Sequence, residues 1–212
     1  PSGTGAESRW LFENNGTDEE GNHNLSANGG ATYDAAVYVE GSFSGNVNGS
    51  GRYFSYDSLD YGEGFTIVME FYRNGTSSYQ NVWSMWKDTD GIEIQIDQPN
   101  DDIYVVTSDG SNTTTANAMN VGMSNSTWHS LIVVVDRDGA ACQIWLDGVN
   151  ETDSGTIQND FDNSSPAWFG RRADGTGSQF YGRIDAAQLY LWELDATDIA
   201  TIVATPGTEV TQ

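Results

Sequence analysis

The segment Asp18-Glu19-Glu20-Gly21-Asn22 sets oxygen donors around a glycine. Calcium takes about six to eight oxygens from carboxylates, amides, carbonyls and water. Gly21 lets the loop bend so that its carbonyls converge. Asp18 and Asn22 are therefore expected as side-chain ligands of one calcium ion, with Glu13 as a possible further donor. The plain alternative is a solvated acidic loop. Asp88/Asp90 and Asp101/Asp102 are also close acidic pairs and read as turns.

Stacking is the second chemistry within reach. Neutral sugars lay their C–H faces on aromatic rings while nearby polar groups bond the hydroxyls. Trp86 precedes the polar run Lys87-Asp88-Thr89-Asp90, and Tyr79 stands just before the same strand. These two are the sugar-binding candidates. Trp145 alternates outward from Ile144 and Leu146, whereas Trp10, Trp128 and one of Trp83 or Trp86 are expected in the core. Arg171-Arg172 is the sole basic pair. It has the geometry to grip a carboxylated sugar, but pairing with neighbouring acids is the preferred reading.

Nucleophilic and acid–base chemistry finds less support. His129 sits in a Trp-His pair opening a core strand, which favours a structural role, and His23 reads as an exposed loop residue. No Gly-x-Ser-x-Gly elbow is present. The single cysteine, Cys142, shares strand parity with Ile144 and Leu146 and is expected to be a buried, inert thiol.

Composition narrows the partners. The chain has 212 residues, 31 acidic and 8 basic side chains, and a formal net charge of −23. That charge opposes binding to nucleic acid or to an anionic membrane surface. No apolar run is long enough for a membrane-spanning helix, so no membrane insertion is expected. One cysteine allows no disulfide within the chain. Eight Asn-x-Ser/Thr sequons occur, at Asn15, Asn24, Asn48, Asn74, Asn112, Asn125, Asn150 and Asn163, about twice the chance expectation for a chain this rich in Asn, Ser and Thr. Acidity and sequons together predict an extracellular location or a cell or virion surface. The Pro1 start predicts a processed product or part of a larger parent chain.

The elements that must position these residues are strands. Ile92, Ile94 and Ile96 alternate with Glu93, Gln95 and Asp97, the period of a half-buried strand. Residues 64–72 and 130–136 are longer β-branched and aromatic runs, and Arg137-Asp138-Gly139 turns the chain back into residues 142–147. Ser111–Asn117 reads as a surface loop. Asp195-Ala196-Thr197-Asp198 is an N-cap pattern before the one short helix, near the C-terminus. About a dozen short strands and no internal linker predict an all-β fold, two antiparallel sheets packed face to face. Residues 1–212 form a single domain with its core at about 6–205.

The order of motifs adds a family. Trp10-Leu-Phe-Glu13, Gly51-Arg-Tyr-Phe54, Phe65–Phe71, Thr127-Trp-His-Ser-Leu131, Gln143-Ile-Trp-Leu-Asp-Gly148, Trp168-Phe-Gly170 and Gly182-Arg-Ile-Asp185 follow one another along nearly the whole chain. The sequence resembles a laminin-G-like domain of the concanavalin A-like lectin/glucanase superfamily. The resemblance implies a jelly-roll sandwich, often with one calcium ion, and binding of glycans or other proteins. It also implies that Asp185, closing the Gly-x-Ile-Asp strand, meets the acidic loop, which completes the expected ligand set Asp18, Asn22 and Asp185.

Some members of that superfamily are glycosidases with Glu-x-Asp-x-x-Glu on one strand. Retaining hydrolysis needs two carboxyls about 5 Å apart. Glu151-Thr-Asp153 lacks the third acid, and Glu193-Leu-Asp195-Ala-Thr-Asp198 is explained by helix capping. The expectation is a non-catalytic, calcium-stabilised carbohydrate-binding or adhesion module. The alternative is a structural building block, a virion decoration domain or surface-filament subunit that self-assembles through its loops. A polysaccharide hydrolase or lyase ranks last.

Overall fold

A computed structural model describes residues 5–74, 79–161, 165–176 and 179–212. In chain order its strands are β1 (Ser8–Trp10), β2 (Ser26–Asn28), β3 (Thr32–Asp34), β4 (Ser44–Asn46), β5 (Tyr53–Tyr56), β6 (Gly64–Arg73), β7 (Gln80–Lys87) and β8 (Asp90–Asp97). They continue with β9 (Asp102–Asp109), β10 (Thr113–Ala118), β11 (Trp128–Asp136), β12 (Ala141–Leu146), β13 (Val149–Asn150), β14 (Ala167–Phe169) and β15 (Gly182–Tyr190), before helix α1 (Ala196–Ala204). The all-β, two-sheet jelly-roll expectation holds. One sheet runs β13-β12-β11-β6-β15-β4-β3, with β1 also on β15; the other runs β10-β9-β8-β7-β14-β5-β2. All pairings between these strands are antiparallel.

Strand parity builds the sandwich. Phe65, Ile67, Met69 and Phe71 of β6 face Trp83, Ile92, Ile94, Val105 and Phe169 of the other sheet in one buried core. Burying each such side chain contributes roughly 1.5–3 kcal/mol. At one end Trp10, Phe12, Tyr56 and Phe169 meet ring to ring at 4.8–6.4 Å. The middle of β15 bulges at Ala186, which takes φ +44°. The bulge divides the strand's free edge, so β4 pairs Arg183–Ile184 and β1 pairs Ala187–Leu189.

Helix α1 starts as its sequence predicts. The Asp195 carboxylate accepts from the backbone N–H of Thr197 and Asp198, and the Asp198 carboxylate returns a bond to the Asp195 N–H. Ile199 and Ile202 then pack on Val68, Ile132, Val134 and Tyr190, on the outer face of the eight-stranded sheet.

Two expectations are corrected. Residues 113–118 are not a loop but edge strand β10, in register with β9 from Thr113↔Ser108 to Ala118↔Ile103. The three threonines are β-branched and suit a pleated edge, and Ala116 and Ala118 alternate into the core. Trp128 is not core. It is half-buried on the outer face of the eight-stranded sheet beside Tyr72, with ring centres 5.5 Å apart.

Candidate glycan-binding face

The two sheets are finished differently. Helix α1 and the C-terminal segment cover much of the eight-stranded sheet. Among the described residues, the outer face of the seven-stranded sheet carries no helix. Its central cross-strand row is Ser26, Ser55, Trp168, Ser84, Glu93, Val106 and Thr115, one residue from each strand. Small hydroxyls thus flank one large ring. Trp168 stacks on Tyr53 of β5, with ring centres 3.9 Å apart and planes 13° apart. Both are half-buried, so the pair is a face-to-face aromatic stack in a polar sheet face, each ring covering one face of the other.

The 171–175 turn lies on the same face. Ala173 N–H donates to Ser84 Oγ at 3.3 Å, and the Arg171 guanidinium bonds the Gly175 carbonyl. Arg172 Nε stands 3.3 Å from the Asp174 carboxylate and 3.7 Å from that of Glu93. Its guanidinium carbon sits 4.3 Å from the centre of the Trp86 ring. Glu93 is 3% exposed. Burial raises its pKa, opposed by the positive charge of Arg172. The basic pair therefore splits its work: Arg172 meets acids and an aromatic face, while Arg171 ties the turn.

The two sugar-binding candidates are not brought together. Tyr79 precedes β7 and Trp86 is near its end, about 20 Å apart along an extended strand. Trp86 is 5% exposed, donates Nε1–H to the Asp88 carbonyl at 3.1 Å, and has Arg172 over one face. It is a packed ring. Tyr79 is 49% exposed and takes φ +47°, and its ring centre lies 5.8 Å from that of Tyr104. Tyr104 donates its hydroxyl to Asp102, and its pKa is pushed up to about 12, first by burial and then by that carboxylate. Sequence reasoning passed over Tyr53, Trp168 and Glu93. Alternation along Tyr53-Phe54-Ser55-Tyr56 and Ala167-Trp168-Phe169 points Tyr53 and Trp168 outward, but their contact needs the β5–β14 pairing.

This sandwich has known counterparts. A family profile described as concanavalin A-like lectin/glucanases superfamily, of the laminin-G type, matches residues 44–200. The chain belongs to that superfamily. Among solved structures, its fold is similar to domain 4 of AbnA, an extracellular arabinanase of Geobacillus stearothermophilus determined with arabinotriose. That match has TM-score 0.76 and 16% identity, over 95% of this chain and 99% of that one. It is also similar to the binding domain of botulinum neurotoxin serotype G (TM-score 0.70, 14% identity, 94% and 50% coverage). A third similar structure is the binding domain of Paraclostridial Mosquitocidal Protein 1 (TM-score 0.72, 15% identity, 94% and 52% coverage). The chain thus spans about half the length of the two toxin domains. No curated protein matches it in sequence.

The calcium implied for a laminin-G-like domain meets an arrangement that does not fit it. Asp18 is buried, and its Oδ1 accepts from the N–H groups of Arg9 and Glu20 while Oδ2 accepts from Asn22 and His23, at 2.7–3.1 Å. Two bonds at each oxygen leave no lone pair for a cation. Asn22 is exposed and donates to the Glu7 carbonyl. Asp185 is fully buried and holds a different loop, accepting from Val39, Glu40 and Ala186 N–H. Burial pushes its pKa up to about 7 against those bonds, and Glu13 adds to the rise. Glu13 in turn accepts from Ser42 and Phe43 N–H. Among the described residues no group of three or more His, Cys, Asp or Glu is placed to hold a metal ion.

The remaining reactive groups in this lectin-like sandwich are built into the frame. His129 Nδ1 meets Asp147 at 2.8 Å and Nε2 meets the Ser124 carbonyl at 3.1 Å, so both partners accept. His23 is half-buried, not exposed, and lies 3.3 Å from Glu7. Cys142 is buried, and burial pushes its thiol up to about 12.

Proposed function

We propose that this chain is a non-catalytic carbohydrate-binding module that takes a neutral glycan on the outer face of its seven-stranded sheet. The observation that carries the reading is the parallel Tyr53–Trp168 pair, half-buried beside Ser26 and Ser55 on a sheet face that carries no helix among the described residues. A sugar ring buries its C–H face on the uncovered side of such a stack, and neighbouring hydroxyls and amides orient its polar edge. Gln95 and Tyr104 lie opposite each other on the same face and extend the polar surface toward Tyr79. The module acts outside the cell or at a surface, where the relative with arabinotriose also works as part of an extracellular enzyme. A net charge of −23 favours uncharged over anionic glycans. Calcium has no part in the reading, because Asp18 and Asp185 spend their oxygens on backbone amides.

Titration calorimetry with arabinotriose and a panel of neutral oligosaccharides tests it. At least one sugar is expected to bind, and Trp168→Ala and Tyr53→Ala should each weaken it about tenfold, the value of one stacked ring. Binding that survives both changes, or no binding anywhere in the panel, removes the proposal.

A further inference from the structure

We infer that the chain is a substrate for N-glycosylation at its exposed loop sequons. The sequence holds 17 asparagines and 39 serines plus threonines in 212 residues. Random placement gives about three or four sequons, against the eight present.

Placement adds an independent observation. Asn163 lies outside the described residues. The other seven sequon asparagines are all exposed. Of the nine asparagines outside sequons, five are exposed, Asn28, Asn46 and Asn117 are half-buried, and Asn81 is buried. Asn15 and Asn24 lie between β1 and β2, Asn48 follows β4, Asn74 follows β6, Asn112 sits in the β9–β10 turn, Asn125 precedes β11, and Asn150 ends β13. None stands on a strand of the seven-stranded sheet. Glycans at these positions would project from loops and from the far edge of the other sheet.

The local chemistry is also in place. The hydroxyl-bearing residues Thr17, Ser26, Ser50 and Thr127 are exposed with their asparagines. Thr17 and Thr152 fold back so that their N–H groups bond Oδ1 of Asn15 and Asn150, at 2.8 and 3.1 Å. In the reaction the Asn Nδ2 attacks the anomeric carbon of a lipid-diphosphate-linked oligosaccharide. One N–C bond forms, the anomeric C–O bond breaks, the lipid diphosphate leaves with the electron pair, and the amide proton passes to a base of the transferase.

The test is peptide mapping by mass spectrometry of the protein from its native host, with and without enzymatic release of N-linked sugars. Glycan mass increments are expected on peptides carrying Asn15, Asn48, Asn112, Asn125 or Asn150. The increment at Asn48 should vanish in Asn48→Gln and equally in Ser50→Ala, since both break the acceptor motif. Unmodified sequon peptides, or increments that survive both substitutions, overturn the inference. The two variants change exposed residues, so a folding failure is not expected to obscure the result.

Discussion

The Arg172 guanidinium covers one face of the Trp86 ring at 4.3 Å while facing the buried Glu93 carboxylate at 3.7 Å. One side chain thus neutralises a desolvated acid and caps an aromatic ring.

Removing that cap has a readable consequence. In Arg172→Ala the Trp86 indole is uncovered and Glu93 loses its nearest positive charge. Stability is expected to fall by about 1–3 kcal/mol, for a lost cation–π contact and an unpaired buried acid. Tryptophan quenching by acrylamide should rise. If quenching and melting temperature both stay at parent values, Arg172 is not the cap described here.

The acidic loop answers to calcium and to mutation in a specific way. Asp18 collects four backbone N–H groups from Arg9, Glu20, Asn22 and His23. Asp18→Ala strands them and should cost about 2–4 kcal/mol. Calorimetric melting of the parent chain is expected to be the same in calcium and in chelator. A calcium-dependent rise in melting temperature that Asp185→Asn abolishes would restore the metal reading.

Stability should decline as pH rises from about 5 through neutrality. Burial pushes the Glu70 carboxyl up to about 7, whereas the unfolded chain releases that proton near its ordinary value of about 4.3. Between these values the folded state holds more protons, so stability falls as pH rises. Burial opposes charge on His129, but its bond to Asp147 outweighs this and its pKa is raised. That contribution is complete below the unfolded value and lost as pH rises through the folded one. Asp147 is lowered, burial being outweighed by His129 and the Ser130 N–H, so its share is lost only as pH falls through its folded value in acid. Melting temperature should therefore drop between about pH 5 and about pH 8, with Glu70 contributing on the order of 3–4 kcal/mol. Glu70→Gln should make the profile shallower, while Asp185 and His129 keep their share. A parent curve that climbs across this range contradicts the assignment.

Helix α1 offers a local check. Asp195 caps it through Thr197 and Asp198. Asp195→Ala should cost about 1 kcal/mol, and Asp195→Asn distinctly less, measured by denaturant midpoint. Equal losses in both would mean that charge, not the cap bond, holds the helix start.

Much of the fold was legible because period and turn chemistry are local. Ile92, Ile94 and Ile96 declared a core face, Asp195 declared a helix start, and Cys142 followed its strand parity inward. The errors lie where local signals are weak. Thr113–Thr115 reads as polar loop until β9 is beside it. β2, β3 and β4 are three residues each, too short to show a period. Trp128 opens a strand rich in valine, yet its parity sends it to the outer face with Tyr72.

The sequence by itself determined the all-β sandwich, its single helix, its superfamily and its acidic surface, since each depends on neighbours within a few residues or on composition. The tertiary structure alone decided which aromatic rings stack on the open sheet face. Tyr53 and Trp168 are over a hundred residues apart and meet only because β5 pairs with β14. It also decided that the carboxylates of Asp18 and Asp185 serve backbone amides. A carboxylate binds whichever donors the fold brings within about 3 Å, and only the packed loops determine which those are.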